Sequence, residues 1–483
     1  MGIVVVGLGP GNGRLLTREA WDILSTAQRV YLRTARHPTV ADLPARVERV
    51  SFDHVYETAV QFDDVYAQIV AELLALGQTD DIIYAVPGHP YMAESTVTAL
   101  VAAAKLAGVA VRIVDGLSFV EPMLTAVGVD GLDGVQLYDA IALTNYHYPP
   151  LNPDAPVLLG QVYSRLLAGE LKLVLTAVYP DEHTVQLVHA VGTEAAQVET
   201  IPLYQLDHSS QINHLTSLYI PPLPRKGSLM TLAETVATLR SPEGCPWDQE
   251  QTPQSLRDGL LGEVAEVLDA LDADDPENLC EELGDVFYHL VMQTQMAAEN
   301  GDFTLTDVVV GIEEKLKRRH PHVWGDWQVA DSGEVVRNWE AIKQEEKAGR
   351  GETAVSILDQ VPQSLPALSR AQAVQTRVRK DAGFDWPDVA GVWEKLAEEV
   401  AELQAAASEA EQQAELGDLL FTVVNLARWL GVEAETALRE ATLRFNGRFR
   451  HVEQLVAERG LDWRKLDLAA LDALWREAKQ IVL

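Results

Sequence analysis

Two stretches of the C-terminal half carry the same landmarks in the same order. The first reads Cys245-Pro246-Trp247-Asp248, Glu263-x-x-Glu266, Glu282-Leu283-Gly284-Asp285, Lys315-x-x-x-Arg319 and Trp339-x-x-x-Lys343. The second reads Phe384-Asp385-Trp386-Pro387, Glu399-x-x-Glu402, Glu415-Leu416-Gly417-Asp418, Arg444-x-x-x-Arg448 and Trp475-x-x-x-Lys479. The copies are offset by roughly 130 residues, and chance similarity between two acidic helical segments does not reproduce the Trp-x-x-x-Lys ends. A duplicated module that repeats its chemistry along with its spacing confines this half to one helical architecture built twice.

Residues three apart share a helix face, so Glu263 and Glu266 point together, as do Glu282 and Asp285. Asp274, Asp275 and Pro276 between them have turn composition, which lets the second helix fold back on the first. Four carboxylates then converge. The second copy does the same with Glu399, Glu402, Glu415 and Asp418 around a turn near Ala407 to Glu411. Four clustered anions repel one another by several kcal/mol unless protonated or neutralised by a cation. Oxygen-only ligands select hard ions, and carboxylates with retained waters suit Mg²⁺, with Mn²⁺ the alternative. A solitary ExxE is ordinarily a solvated helix face. Here the pairs are coupled, duplicated and set among Leu283, Val286, Phe287 and Leu290 in one copy and Leu416, Leu419, Leu420 and Val423 in the other.

Each quartet is followed by a basic pair, Lys315/Arg319 or Arg444/Arg448, and by Trp339 with Lys343 or Trp475 with Lys479. Mg²⁺ beside Lys and Arg suits a phosphate chain, and an indole can stack on a base. The competing readings are salt bridges along the helix for the cations and core packing for the tryptophans; packing is the better expectation for both indoles.

The first half reads differently. Short β-rich runs, Ile3 to Val6, Ile82 to Val86, Val111 to Val114 and Leu171 to Val178, alternate with helical stretches, which predicts an α/β region with mainly parallel sheets. The cluster Pro221-Pro222-Leu223-Pro224-Arg225-Lys226-Gly227-Ser228 breaks regular structure and marks the linker. The expected division is 1–222, a linker at 223–228, a first repeat at 229–350 and a second at 351–483. At 483 residues and 47% hydrophobic composition, several cores are expected and general disorder is excluded. Two cysteines, Cys245 and Cys280, exclude a disulfide framework. No apolar run is long enough for a membrane span and no leader is read, so a soluble, cytoplasmic protein is expected. The net charge of −34 argues against a duplex nucleic-acid binder.

The helical landmarks, with Gly244-Cys245-Pro246-Trp247-Asp248 and Arg318-Arg319-His320-Pro321-His322-Val323, resemble the MazG-type nucleoside triphosphate pyrophosphohydrolases over about 229–483. That resemblance implies an all-α Mg²⁺ enzyme that converts a nucleoside triphosphate to monophosphate and pyrophosphate. It assigns the metal to Glu263, Glu266, Glu282 and Asp285, and to Glu399, Glu402, Glu415 and Asp418. Phosphate contacts fall on Lys315, Arg319 and Lys343, and on Arg444, Arg448 and Lys479. Gly262 stands where the family's EExxE has its leading Glu, whereas Glu398 keeps it, so the second copy is expected to carry most of the turnover.

Near the N-terminus, Gly7-Leu8-Gly9-Pro10-Gly11 followed by Leu15-Leu16-Thr17 reads as strand, glycine-rich loop and helix. Together with Pro87-Gly88-His89-Pro90 and Asp115-Gly116-Leu117-Ser118-Phe119, it resembles the SAM-dependent tetrapyrrole (corrin/porphyrin) methylases over roughly 1–222. The resemblance implies two α/β lobes clasping S-adenosylmethionine, with Gly88 and Pro90 in one cofactor loop, Ser118 in the next, and Gly9 and Pro10 beside the acceptor. His89 replaces the family's usual Asp. The domain order resembles the YabN-like fusion proteins, and a homodimer is expected because both family types tend to be dimeric. Two other functions compete: an active methyltransferase whose helical half only dimerises it, and a non-catalytic acidic adaptor.

Overall fold

The computed structural model describes residues 2–58, 62–349 and 356–481. Contacts divide the chain into two compact units, Met1–Gly311 and Ile312–Leu483. The division falls inside the helix Leu305–Arg319. The expected junction of the repeats at 350/351 lies outside the described residues.

The first unit opens with β1 (Gly2–Gly7), β2 (Arg29–Leu32), β3 (Glu48–Ser51), β4 (Asp81–Val86) and β5 (Ala110–Val114). They form a parallel sheet in the order β3-β2-β4-β1-β5. β1 and β4 are apolar on both faces, as a sheet covered on both sides requires. Ile3, Val5 and Tyr84 pack on one side, and Val6, Leu8 and Leu24 on the other.

A second sheet contains β6 (Gln136–Asp139), β7 (Val157–Gly160), β8 (Thr184–His189), β9 (Gln197–Pro202) and β10 (Thr216–Ile220), in the order β6-β7-β10-β8-β9. Here the expectation of mainly parallel pairing fails: β6 and β7 are parallel, but β7, β10, β8 and β9 pair antiparallel. β8 and β9 are joined by a short return, which favours antiparallel neighbours, and β10 inserts between β7 and β8, antiparallel to both. The run Leu171 to Val178 is not a strand. It belongs mostly to the helix Arg165–Leu175, which Ser164 caps and whose Leu167, Ala168, Leu171 and Leu175 bury one face. Helical spacing and an N-cap outweigh the β-branched content.

The segment after β10 is held rather than loose. Asp154 accepts hydrogen bonds from the amides of Gly227 (2.7 Å) and Ser228 (3.2 Å) and from the Ser228 hydroxyl (2.5 Å). It also accepts one from the Thr231 hydroxyl. Ser228 in turn caps the helix Leu229–Arg240. Burial alone would raise the Asp154 pKa, but these donors outweigh it and hold the group at about 2. Val236 of that helix packs with Val291, Met292 and Met296 of Pro276–Asn300, and Leu256 joins the same cluster. The helices Arg257–Asp272 and Pro276–Asn300 form the first hairpin.

In the second unit, Val389–Ala405 and Glu409–Trp429 form the corresponding hairpin, flanked by Ala367–Ala382, Ala434–Glu458 and Leu468–Ile481. No helix among the described residues is long and apolar enough to cross a membrane.

The Asp154 clamp yields a stability prediction. Asp154→Ala should lower the unfolding free energy by about 1–2 kcal/mol and speed amide exchange at Gly227 and Ser228. In the parent chain the depressed carboxylate contributes fully above its ordinary value of 3.8, and that contribution is lost as the pH falls from there through about 2. Exchange rates equal to the parent's would overturn the clamp.

Candidate metal centres and cofactor loops

Two turns bring the acidic pairs together. In the first hairpin Asp274 takes a left-handed conformation (φ 52°), Asp275 caps the returning helix through Glu277 and Asn278, and Pro276 occupies its first turn. In the second, Ser408 and Glu411 form a reciprocal capping box. Both devices set where the returning helix starts, and hence which of its faces meets the outgoing one.

The result is a pair of matching triads. One carboxylate oxygen each from Glu263, Glu266 and Glu282 lies within 4.8 Å of the others, and the same holds for Glu399, Glu402 and Glu415. Asp285 and Asp418, one turn along the returning helices, lie outside these groups. Burial together with the charges of Glu266 and Glu263 raises the Glu282 pKa. Burial together with Glu402, Asp418 and Glu399 raises that of Glu415. The Glu399 carboxylate is 5% exposed, and its Oε2 has no hydrogen-bond partner. An orphaned buried oxygen facing like charges is the environment a bound cation would relieve. All-oxygen donor sets fit a hard divalent ion.

A cation missed by the sequence reading sits in the second triad. Lys395 Nζ lies 2.7 Å from Glu398 Oε1, 2.8 Å from Glu399 Oε1 and 4.0 Å from Glu402 Oε2. Its hydrogen bonds to Glu398 and Glu399 push its pKa up. Lys395 precedes Glu399 by one helical turn, and that spacing was the available signal. The structure thus places Glu398, absent from the first copy, against the lysine rather than in the triad. Gly262 therefore does not subtract a member from the first triad.

Several of the other basic landmarks have local partners. Arg318 and Arg319 both bond Glu346, which Arg319 above all holds at about 2. Arg319 and Lys343 lie 5.2 and 5.1 Å from the Trp339 ring. Lys315 is half-buried. Arg444 reaches Glu440 on its own helix at 3.7 Å, Arg448 is half-buried, and Lys479 is exposed. Trp475 packs on Phe445, with centroids 5.1 Å apart, and against the core around Leu455 and Leu474.

In the α/β region, the candidate cofactor loops meet at the C-terminal edge of the first sheet. Gly9 and Gly88 exchange backbone hydrogen bonds of 3.2 and 2.9 Å. Gly7, Gly88 and Gly116 interlock: a Cβ at Gly116 would stand 2.5 Å from the Gly88 carbonyl, and one at Gly7 2.6 Å from it. Gly88 has φ +65°, and a Cβ there would meet only Ser118 Cα, at 3.9 Å. Ser118 is buried and donates to Glu121 at 2.7 Å. Pro10 and Pro90 are buried, and Pro10 lies close enough to Gly192 to exclude a side chain there. His89 Nδ1 accepts from the Tyr91 amide at 3.0 Å, and its Nε2 lies 3.5 Å from Asp115. Open α/β sheets bind ligands at this edge.

Comparison with known proteins decides the kinship. The profile of the MazG nucleotide pyrophosphohydrolase domain matches residues 251–324, that of phosphoribosyl-ATP pyrophosphohydrolase matches 380–444, and that of the tetrapyrrole (corrin/porphyrin) methylases matches 2–207. YabN of Bacillus subtilis (strain 168), an uncharacterized protein, is 39% identical over 99% of this chain and 98% of its own length. The chain belongs to the YabN-like fusion family. Its helical half is MazG-type: the nucleoside triphosphate pyrophosphohydrolase of Escherichia coli (strain K12) is 45% identical over 50% of this chain and 93% of that protein. The Thermotoga maritima nucleoside triphosphate pyrophosphohydrolase/pyrophosphatase MazG is 43% identical over 51% and 94% respectively. The fold expectation therefore holds: a methylase-type α/β region followed by MazG-type helices, in an enzyme of the hydrolase class.

Lys395 generates a test within this family setting. Lys395→Met should lower the metal-free melting temperature, because Glu399 loses its cation, and should enlarge the rise produced by added Mg²⁺. Differential scanning fluorimetry with and without the ion checks this. An Mg²⁺-induced rise no larger than the parent's would refute the lysine as a stand-in for the ion.

Proposed function

We propose that the chain hydrolyses nucleoside triphosphates to monophosphate and pyrophosphate, using Mg²⁺ or Mn²⁺ held by the carboxylate triads. The observation that carries this is the recurrence of a closely spaced, charge-frustrated triad on two hairpins. The ion, when bound, neutralises phosphate charge and favours attack by water. Glu263, Glu266 and Glu282 would hold one ion, and Glu399, Glu402 and Glu415 another, with Asp285 and Asp418 as further acids on the same helices. Arg444, Arg448 and Lys479 would meet the phosphates in the second copy, and Lys315, Arg319 and Lys343 in the first. Arg319 would have to exchange Glu346 for phosphate. Trp339, already flanked by two cations, and Trp475, packed in a core, are better read as supports than as base-stacking platforms.

The α/β region is read as a binder of S-adenosylmethionine through Gly9, Pro10, Gly88, Pro90 and Ser118. The interlocked glycines support this, because they bring bare backbone together where a ligand can approach it. A homodimer is supported by half-exposed apolar faces on equivalent helices: Leu283, Phe287 and Leu290 in one unit, and Leu416, Leu420 and Val423 in the other. The cytoplasm, which supplies nucleoside triphosphates, is the proposed place of action.

Activity should need Mg²⁺ or Mn²⁺, be poorly supported by Ca²⁺, and vanish in chelator. Glu415→Gln should remove most pyrophosphate release, by roughly 10² or more, while Glu282→Gln leaves a large residue. Full hydrolysis in chelator would sink the metal reading. A dominant loss from Glu282→Gln would reverse the ranking of the copies.

The cofactor loop is tested by Gly88→Asp. Aspartate tolerates positive φ better than most residues, and the added Cβ has room, so the fold should survive. SAM binding should be lost to the clash and negative charge. Unchanged calorimetric affinity would refute this placement of the cofactor.

A further inference from the structure

The two triads differ in the basic group that stands beside them, and the difference is reciprocal. In the second hairpin Lys395, one turn before Glu399, supplies an ammonium, and Thr422 occupies the buried position on the returning helix. In the first, the residue one turn before Glu263 is Gly259, and the position matching Thr422 is His289. The glycine and the histidine depend on each other: a Cβ at Gly259 would stand 2.9 Å from His289 Cε1 and 3.2 Å from its Nε2. The imidazole therefore fills the space that a side chain at 259 would need.

His289 is 6% exposed. Its Nε2 lies 3.8 Å from Glu263 Oε1, too far for a hydrogen bond, and its Nδ1 is buried without a partner. Neither ring nitrogen makes a hydrogen bond among the described residues. A buried imidazole is costly in this condition. Its Nε2 faces a carboxylate that already belongs to a group with the spacing of metal ligands.

We propose that the first triad is a mixed nitrogen–oxygen metal site, in which His289 joins Glu263, Glu266 and Glu282. It would favour Mn²⁺, Co²⁺ or Fe²⁺ over Mg²⁺, leaving the all-oxygen second triad as the Mg²⁺ site. Imidazole suits transition ions, whereas Mg²⁺ prefers oxygen donors and retained water. The inference rests on the reading of the triads as ion sites but goes beyond it in assigning them different ions.

The test uses the full chain carrying Glu415→Gln, which disables the second triad. One equivalent of Mn²⁺ is added in a tenfold excess of Mg²⁺, so that weak surface carboxylates stay occupied by Mg²⁺. Pulsed electron paramagnetic resonance should reveal a directly bound imidazole nitrogen, with His289 itself unmutated. Adding His289→Gln should abolish that signal and weaken Mn²⁺ binding by about 10-fold or more, while Mg²⁺ binding changes by less than about 3-fold. Bound Mn²⁺ without a nitrogen signal, or an unchanged Mn²⁺ affinity in His289→Gln, overturns the proposal while leaving the triad as an ion site. No retained ion in the Glu415→Gln chain, where the parent binds one, overturns the ion-site reading of the first triad as well.

Discussion

Like-charge repulsion inside the carboxylate triads is the constraint around which the helical half is built. Two glutamates one turn apart are unremarkable, because water solvates each. Adding a third from the returning helix, with its oxygen within 4.8 Å, is a different matter. Burial, and then the charges of the neighbouring carboxylates, raise the pKa values of Glu282 and Glu415, and in the second triad Lys395 offsets part of that rise. The hairpins must then be held closed by something other than the acids. In the first, Asp275 caps the return with Pro276 in its first turn, and Met292 and Met296 farther along the returning helix pack with Val236 and Leu256. In the second, the Ser408–Glu411 box caps the return, and Val392 and Val424 are buried. Packing and capping hold the helices together, and the frustrated charge is left available for an ion.

The α/β half meets its tightest constraint in backbone rather than charge. Gly7 at the end of β1 and Gly88 and Gly116, two residues beyond β4 and β5, lie so close that a methyl group on the first or last would overlap a carbonyl. This explains why the glycine-rich loop has its own spacing. Its glycines let strand ends touch, whereas those of a dinucleotide fingerprint admit a pyrophosphate and a helix N-terminus.

Much of this was legible beforehand, for identifiable reasons. The triads follow from three-residue spacing plus a turn, both local properties, and the change of texture at Pro221 follows from proline chemistry. What escaped depended on non-local contacts. Leu171 to Val178 looks β-rich until Ser164 is recognised as a cap and Leu167, Leu171 and Leu175 as one face. The antiparallel half of the second sheet is decided by connections whose lengths do not themselves dictate pairing. Pro221 to Ser228 is legible as a linker, but the anchor of its end is not, because Asp154 lies far back in the chain. A salt bridge along its own helix was the competing reading for Arg319, but its partner Glu346, shared with Arg318, comes from a different helix. His289, seven residues after Glu282, lies on the same helical face, but its approach to Glu263 depends on the packing of two helices.

The divergence of the copies has a simple energetic logic. The outgoing helix of the first hairpin carries Gly259 and Gly262, each costing about 1 kcal/mol relative to alanine, and Leu256 gives it no side-chain cap. The second hairpin has Lys395 and Glu398 at the matching places and a capping Asp388. Helix propensity therefore favours the second copy, and Gly262, with nothing within 4 Å of a built Cβ, has no packing reason to be glycine. Gly259 has one, because His289 occupies the space beside it. A helix weakened at two points can persist only where its neighbours hold it, and Tyr288 bonding Asp248 at 3.1 Å ties the returning helix to the segment just before the hairpin. The first copy thus trades local helix stability for an imidazole beside its triad, whereas the second keeps the stable helix and places an ammonium there.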